Sequence, residues 1–214
     1  MSLQTKLDAA WAAFATSESE EVCETMRRAD LELAASGVID RAIKAGERAP
    51  DFDLPNVDGR RVRLSQLLVH GPVVVSFYRG GWCPFCSLEL EALQTASSRI
   101  QAAGATLVAI SPQTLDESAS MAETNDLDFL ILSDHGGLAA LDYGIAFDLA
   151  PALRPIYARL GFALPERNGV ESWRLPMPAT FIVGGDGRVV FAHVDSDHRN
   201  RLDPDVIVAA LGRL

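Results

Sequence analysis

Residues 77–86 read FYRGGWCPFC and hold two cysteines, Cys83 and Cys86, separated by two residues. The residues at 73–78 are β-branched or aromatic apart from one serine, a composition typical of a buried central strand. Residues 87–104, SLELEALQTASSRIQAAG, carry apolar side chains at helical spacing and end on glycine, which predicts a helix. The cysteine pair therefore lies where a predicted strand passes into a predicted helix.

This position favours redox chemistry at the two sulfurs. The first turn of a helix has unpaired N–H groups and a partial positive charge, which stabilise a thiolate. Pro84 suits the first helical position, where its missing N–H costs little. The two-residue spacing lets one sulfur reach the other, so we expect Cys83 and Cys86 to cycle between dithiol and disulfide.

Two other interpretations of the pair have less sequence support. A zinc site needs further ligands at a regular spacing, and the sequence shows no paired ligands. The remaining cysteine and histidines are Cys23, His70, His135, His193 and His198. Two ordinary buried cysteines would not need a strand before them and a helix after them. We therefore expect neither a metal nor another cofactor.

Composition limits the class of protein. The chain has 214 residues, 48% of them hydrophobic, and a formal net charge of −10, which argues against nucleic acid as a partner. Three cysteines are too few for a disulfide scaffold, so a reducing compartment is expected. The start of the chain lacks the pattern of a secretory signal, and the apolar runs are too short to span a bilayer. These features together predict a cytoplasmic protein without a membrane partner.

Strands and helices alternate along most of the chain, which predicts an α/β domain at 47–214. The predicted strands are 73–78, 106–110, 129–132, 180–183 and 189–193. The last two are joined by the hairpin signal GGDGR. Residues 1–46 have helical periodicity and predict an N-terminal helical extension, while residues 135–176 predict a helical and looped insertion.

Two motifs resemble known families. FYRGGWCPFC followed by a long helix, and MPATFIV (177–183) followed by a GDGRVV hairpin, resemble the peroxiredoxins and the thioredoxin-like proteins. The chain is most similar to peroxiredoxin-like proteins of the alkyl hydroperoxide reductase/thiol-specific antioxidant type, over about residues 47–212. This resemblance implies a thioredoxin-like fold, with a central mixed sheet of about five strands flanked by helices.

The motif can be aligned with the peroxiredoxin loop in one way. In this alignment the Phe-Tyr of the motif matches the Phe-Tyr at the start of that loop. Cys86 then takes the position of the peroxidatic cysteine, and Glu89 matches the family's glutamate. Arg79 replaces the loop's proline, and Cys83 replaces the threonine that orients the peroxide. Pro178 stands where the family carries its catalytic arginine. Two of the three groups that bind a peroxide are therefore absent from their expected places.

A thioredoxin-type alignment accounts for the same substitutions. Trp82-Cys83-Pro-Phe-Cys86 is similar to the Trp-Cys-x-x-Cys of thioredoxins, and Pro178 falls on their cis-proline. We therefore expect the Met177–Pro178 bond to be cis. Cys83 would be the attacking thiol and Cys86 would resolve the mixed disulfide. The buried acid of thioredoxins is replaced by Ser76, so proton transfer is left to Glu89, Glu91 or water.

Other polar residues are candidates for supporting roles. Arg79 could lower the pKa of a cysteine or attract an anionic substrate, and Trp82 could shape the surface around the pair. The charged segment 193–204, HVDSDHRNRLDP, is expected to be a solvated, salt-bridged loop that leads into a helix capped by Asp203.

The sequence thus predicts a thiol-disulfide oxidoreductase that reduces disulfide substrates through Cys83 and Cys86. One alternative is a thiol-dependent peroxidase that acts on hydrogen peroxide or organic hydroperoxides. The other is a non-enzymatic redox sensor whose oxidation changes an interface made by residues 1–45. The partners are a thiol reductant (thioredoxin, glutaredoxin or a small thiol) and a disulfide or peroxide, with a homodimer left open.

Overall fold

The computed structural model describes all 214 residues, which form nine strands and nine α-helices. The strands are β1 (Asp53–Pro55), β2 (Arg61–Arg63), β3 (Val73–Phe77), β4 (Thr106–Ser111), β5 (Leu130–Ser133), β6 (Ala146–Asp148), β7 (Arg174–Pro176), β8 (Ala179–Val183) and β9 (Val189–Val194). The helices are α1 (Leu3–Ser17), α2 (Glu20–Ala35), α3 (Leu64–Leu67), α4 (Pro84–Ala102), α5 (Leu115–Thr124), α6 (Leu138–Asp142), α7 (Arg154–Arg159), α8 (Leu164–Asn168) and α9 (Pro204–Leu211). No helix has both the length and the apolar character needed to span a bilayer.

The central sheet has five strands in the order β5-β4-β3-β8-β9. Strand β3 runs parallel to β4 and antiparallel to β8, so the sheet is mixed. Strands β4 and β5 are parallel, while β8 and β9 form the predicted hairpin. The predicted α/β class and five-stranded mixed sheet are confirmed.

The buried strand β3 divides the core because successive strand residues face opposite sides of the sheet. Val74 faces α4 and packs in a cluster with Leu90 and Leu93. Val75 and Phe77 face the other side, where a separate cluster includes the rings of Tyr143 and Phe181. All five residues of β3 are buried, which explains its unbroken apolar sequence.

Two helices precede the domain, and both have serine caps. The Ser2 hydroxyl accepts from the backbone N–H of Thr5 at the start of α1, and the Ser19 hydroxyl accepts from Val22 at the start of α2. Helix α1 packs on α4, with Leu3 and Leu7 buried in the same cluster as the first turn of α4.

The segment at 135–176, expected to be helical and looped, also contains strand. It holds α6, α7 and α8, and it contributes β6 and β7, which pair antiparallel as a small separate sheet. These strands have three residues each, too few to show an alternating pattern in the sequence. Tyr157 of α7 is buried in a third cluster that also contains Met26 of α2.

The peptide bond between Met177 and Pro178 is trans, so the predicted cis bond is wrong. The chain passes directly from β7 into β8 at this point. The backbone N–H of Met177 donates to Ile145 at 2.8 Å, and the carbonyl of Pro178 accepts from Asp195 at 3.3 Å. A trans bond keeps the chain extended between these two pairings, and trans is also the intrinsically favoured form.

Candidate active site

The cysteine pair lies at the first turn of α4, directly after β3 and its loop. Cys83 is the N-cap residue of this helix, Pro84 is its first residue, and the backbone N–H of Cys86 donates to the carbonyl of Cys83 at 3.0 Å. Both cysteines are free thiols, with exposed fractions of 2% and 0%. Gly80 in the preceding loop has a φ of 152°, and a Cβ there would lie 2.2 Å from the Trp82 indole nitrogen. Only glycine fits this turn without strain.

A buried arginine lies against each sulfur. The Arg201 guanidinium donates to Cys86 Sγ at 3.4 Å and to Glu89 Oε2 at 2.7 Å. The Arg79 guanidinium lies 3.9 Å from Cys83 Sγ and donates to the hydroxyl of Tyr157. The charges of both arginines are therefore close to the two sulfur atoms in a buried region.

Two aromatic rings hold Arg79 in place. Its guanidinium carbon lies 5.2 Å from the centroid of Trp82 and 5.5 Å from the centroid of Tyr157. Because Tyr157 belongs to α7, the segment between β6 and β7 helps to orient the cation beside Cys83. Sequence patterns do not reveal this role for Tyr157, since a single tyrosine far along the chain carries no motif.

The two thiols have different environments. The pKa of Cys83 is lowered to about 5, first by a hydrogen bond from the Cys86 thiol and then, against its own burial, by Arg79 and Arg201. The pKa of Cys86 is raised, first by burial and then by the neighbouring Cys83 thiolate. These opposite shifts favour a thiolate on Cys83 and a thiol on Cys86.

Glu89 is a carboxyl group able to hold a proton at neutral pH. Burial raises its pKa to about 7, although the ion pair with Arg201 opposes this shift. The neighbouring Glu91, also considered for proton transfer, is exposed and pairs with Lys6 at 3.2 Å. The structure therefore brings Glu89 to the pair and leaves Glu91 outside it.

A cavity reaches Cys83 from the side of the N-terminal helices. It has a volume of about 200 Å³ and is bounded by residues of α1, α2, α7 and the cysteine loop, including Cys83 itself. A second cavity of about 220 Å³ shares Arg79, Tyr157 and His198 with the first and is also lined by Pro178. Cys83 lines only the first cavity and Cys86 lines neither, so a ligand in the first cavity can approach Cys83 but not Cys86.

A match to a family model decides the protein's relationships. A model described as the AhpC/TSA family matches residues 45–192, which is more than half of the chain. The chain belongs to the AhpC/TSA family. The predicted resemblance is confirmed, and the protein is a thiol-dependent oxidoreductase of peroxiredoxin type. Residues 1–44 lie outside the matched span.

Individual relatives of this AhpC/TSA protein are peroxiredoxins. A putative peroxiredoxin from Mycobacterium tuberculosis is 33% identical over 114 residues, covering 53% of this chain and 74% of that protein. Peroxiredoxin Bcp from Escherichia coli is 25% identical over 166 residues, 78% of this chain and 94% of its own length. The crystal structure of peroxidoxin BcpB from Mycobacterium tuberculosis is 26% identical, with a TM-score of 0.63 and coverage of 80% and 98%. These matches favour the predicted alternative, a thiol peroxidase, over disulfide reduction.

The sequence candidates of this AhpC/TSA protein are close together in the fold. Arg79, Trp82 and Cys83 line one cavity, and Pro178 lines the neighbouring cavity with Arg79. The position that lacks the family's arginine thus lines the same cavity as an arginine from another part of the chain. Arg79, which replaces the loop's proline, and Pro178, which replaces the family's arginine, therefore lie in the lining of one cavity.

The prediction for the charged segment 193–204 is wrong at two residues. Arg201 has a side chain that is 1% exposed, because it pairs with Glu89 inside the core. His198 is half-buried, packs edge-on against Phe85 at 5.4 Å and lies 3.6 Å from Asp30 of α2. Burial, with the nearby Arg79, lowers the pKa of His198. The partners are distant in sequence, so charge pattern alone could not reveal these pairings.

One group of side chains has a spacing suitable for a metal ion. The ligand atoms of Asp30, Asp197 and His198 all lie within 4.8 Å of one another. Arg199 already pairs with Asp197 at 2.7 Å and lies 3.6 Å from Asp30. Since this guanidinium compensates both carboxylates, the group is better described as an ion-pair network, and it includes no cysteine.

Proposed function

We propose that this protein is a thiol peroxidase that reduces a hydroperoxide at Cys83 and Cys86 and ends its turnover with a disulfide between them. The observation that carries the proposal is a buried pair of thiols, each against a buried arginine, in a peroxiredoxin-type domain. Arg79 also keeps one buried N–H, on Nε, without a partner in the protein. A peroxide oxygen beside Cys83 would satisfy such a donor.

We assign the first attack to Cys83. Its thiolate attacks the terminal oxygen of the hydroperoxide, the O–O bond breaks, and the alkoxide leaves. Cys83 becomes a sulfenic acid that retains the hydroperoxide's proton. The alkoxide takes the proton of the Cys86 thiol and departs as an alcohol. Arg79 and Arg201 stabilise the negative charge that moves from sulfur to oxygen.

The second step closes the disulfide. The new Cys86 thiolate attacks the sulfur of the Cys83 sulfenic acid, an S–S bond forms, and the leaving hydroxide takes a proton from Glu89 to give water. Two electrons pass from the two sulfurs to the peroxide, and Glu89 ends as a carboxylate paired with Arg201. A thiol reductant, such as thioredoxin, glutaredoxin or a small thiol, then returns the pair to its starting state.

Reduction of protein disulfides is a weaker candidate because Cys83 is only 2% exposed. A protein disulfide must bring its sulfur into line with the attacking thiolate, which requires an accessible sulfur. A small peroxide needs only the cavity. The need for a thiol reductant and the three free cysteines support a cytoplasmic location.

The test is turnover with dithiothreitol as reductant. We expect the wild type to consume hydroperoxides steadily and to reduce insulin at least about 100-fold more slowly. We expect Cys83→Ser to lose peroxide consumption, and Cys86→Ser to react with peroxide but to depend on direct reduction of its Cys83 sulfenic acid by dithiothreitol. Insulin reduction that equals peroxide consumption would reject the proposal in favour of a disulfide reductase. No turnover of either substrate, together with a change of partner or oligomer on oxidation, would reject it in favour of the redox sensor.

A further inference from the structure

The two N-terminal helices form one wall of the cavity over Cys83. Ala10, Trp11 and Phe14 of α1 and Met26 of α2 line it. These residues lie outside the span matched by the family model, which begins at residue 45. The wall is therefore a feature of this chain added to the AhpC/TSA domain.

The opposite wall is also aromatic. Trp82 and Phe162 pack with ring centroids 5.1 Å apart, and Phe85 lies beside Cys83 at the start of α4. On the near wall, Trp11 stacks on Phe14 at 5.6 Å. The cavity is thus bounded by aromatic rings on two sides, with the Cys83 sulfur in its lining.

Contacts from three elements hold the α1 wall in place. Leu3 and Leu7 anchor α1 in the core beneath. The Arg199 guanidinium lies over Trp11, 4.5 Å from its centroid, and Glu18 at the end of α1 forms an ion pair with Arg159 of α7. A wall fixed in this way can select ligands by shape, because it does not collapse when the cavity is empty.

The size and chemistry of the cavity define what it can take. Its volume of about 200 Å³ compares with the ~150 Å³ of an apolar cavity known to accommodate benzene. Its cation, Arg79, is covered by the rings of Trp82 and Tyr157 and lies near Cys83. The rest of the lining is mostly hydrophobic, so it fits an uncharged aromatic or branched alkyl group.

We propose that α1 and α2 form a binding site for the aromatic or branched alkyl group of a bulky hydroperoxide, whose peroxide end then lies at Cys83. This rests on the proposed peroxidase activity for its chemistry, but binding of the apolar group does not depend on turnover. The N-terminal helices would then determine which hydroperoxides the enzyme prefers.

The test fills the cavity and compares substrates. Ala10→Leu places a larger side chain in the lining, and Ala13→Leu makes the same change on the exposed face of the same helix. Leucine and alanine both favour helix, so α1 is preserved. The readout is kcat/KM for cumene hydroperoxide divided by kcat/KM for hydrogen peroxide. We expect Ala10→Leu to lower this ratio by about tenfold or more, and Ala13→Leu to leave it unchanged. Equal ratios in all three proteins would overturn the proposal.

A second readout does not need activity. The product alcohol, 2-phenyl-2-propanol, is titrated into each protein while tryptophan fluorescence is followed, since Trp11 and Trp82 both line the cavity. We expect saturable binding to the wild type and Ala13→Leu, and at least about tenfold weaker binding to Ala10→Leu. Binding without any peroxidase activity would reject the proposed function and retain the site. Peroxidase activity without binding to the wild type would reject the site alone.

Discussion

Arg79 and Arg201 show how a peroxiredoxin-type site is built in a chain that has proline at the family's arginine position. Arg79 comes from the loop before α4, and Arg201 comes from the segment before α9. The sequence identified Arg79 because it is next to the cysteines, as it identified Glu89. It could not identify Arg201, because the ion pair between Arg201 and Glu89 joins residues 112 positions apart.

The first prediction concerns the charge on Cys83. Its pKa in the folded protein, about 5, lies below the ordinary value of 9.0, so the folded state binds fewer protons between these values. The Cys83 thiolate therefore stabilises the folded state at pH values above the ordinary pKa of the thiol. This contribution is lost as the pH falls through about 5. We expect the absorbance of thiolate at 240 nm to show a transition near pH 5 in the wild type. This transition should be missing in Cys83→Ser. The absence of any transition near pH 5 in the wild type would show that Arg79 and the Cys86 thiol do not stabilise the thiolate.

The second prediction concerns the buried ion pair of Arg201 and Glu89. Replacing Arg201 by methionine leaves Glu89 buried without its partner, which costs about 3 kcal/mol of unfolding free energy. The double variant Arg201→Met, Glu89→Gln removes both charges, and we expect it to be more stable than Arg201→Met alone. Urea denaturation at pH 8, where Glu89 is mostly ionised, measures both. Equal stability of the single variant and the wild type would contradict a buried pair.

The elements differ in how far the sequence predicts them. Helix α4 and the five central strands have clear periodicity or β-branched runs, and they were predicted within a few residues. The strands β6 and β7 were missed because three residues show no period. The segment at 193–204 was assigned to the surface because its charges are compensated locally by Asp197 and Arg199, which hides the inward orientation of Arg201.

The third prediction concerns the attachment of α1. Leu7 is 1% exposed and packs in the α4 cluster, so we expect Leu7→Ala to lower the unfolding free energy by about 2–5 kcal/mol. Leu31 of α2 is 71% exposed, and Leu31→Ala makes the same change where it should alter stability by less than about 0.5 kcal/mol. Urea denaturation of the two variants compares them directly. An equal, small effect of both would mean that α1 does not pack stably on α4.

At the scale of the whole molecule, an AhpC/TSA domain is combined with two helices that precede the matched span and contact its site. The family and the fold class followed from a strand, a CxxC motif and a helix in the right order. The substrate did not, because the two alignments of one motif differ over the attacking sulfur. Spatial features support the proposal that Cys83 attacks first: Cys83 lines the cavity beside the N-terminal helices, whereas Cys86 does not line it and lies against Arg201. A homodimer stays a prediction.

The most direct test identifies the sulfur that first receives oxygen. Cys86→Ser keeps the proposed nucleophile, and Cys83→Thr restores the family's threonine while keeping Cys86. Each variant is treated with one equivalent of cumene hydroperoxide and dimedone, and the sulfenic acid adduct is located by peptide mass spectrometry. The account predicts an adduct on Cys83 in Cys86→Ser and none on Cys86 in Cys83→Thr over the same time. An adduct on Cys86 in Cys83→Thr, with Cys83 unlabelled in Cys86→Ser, would contradict it.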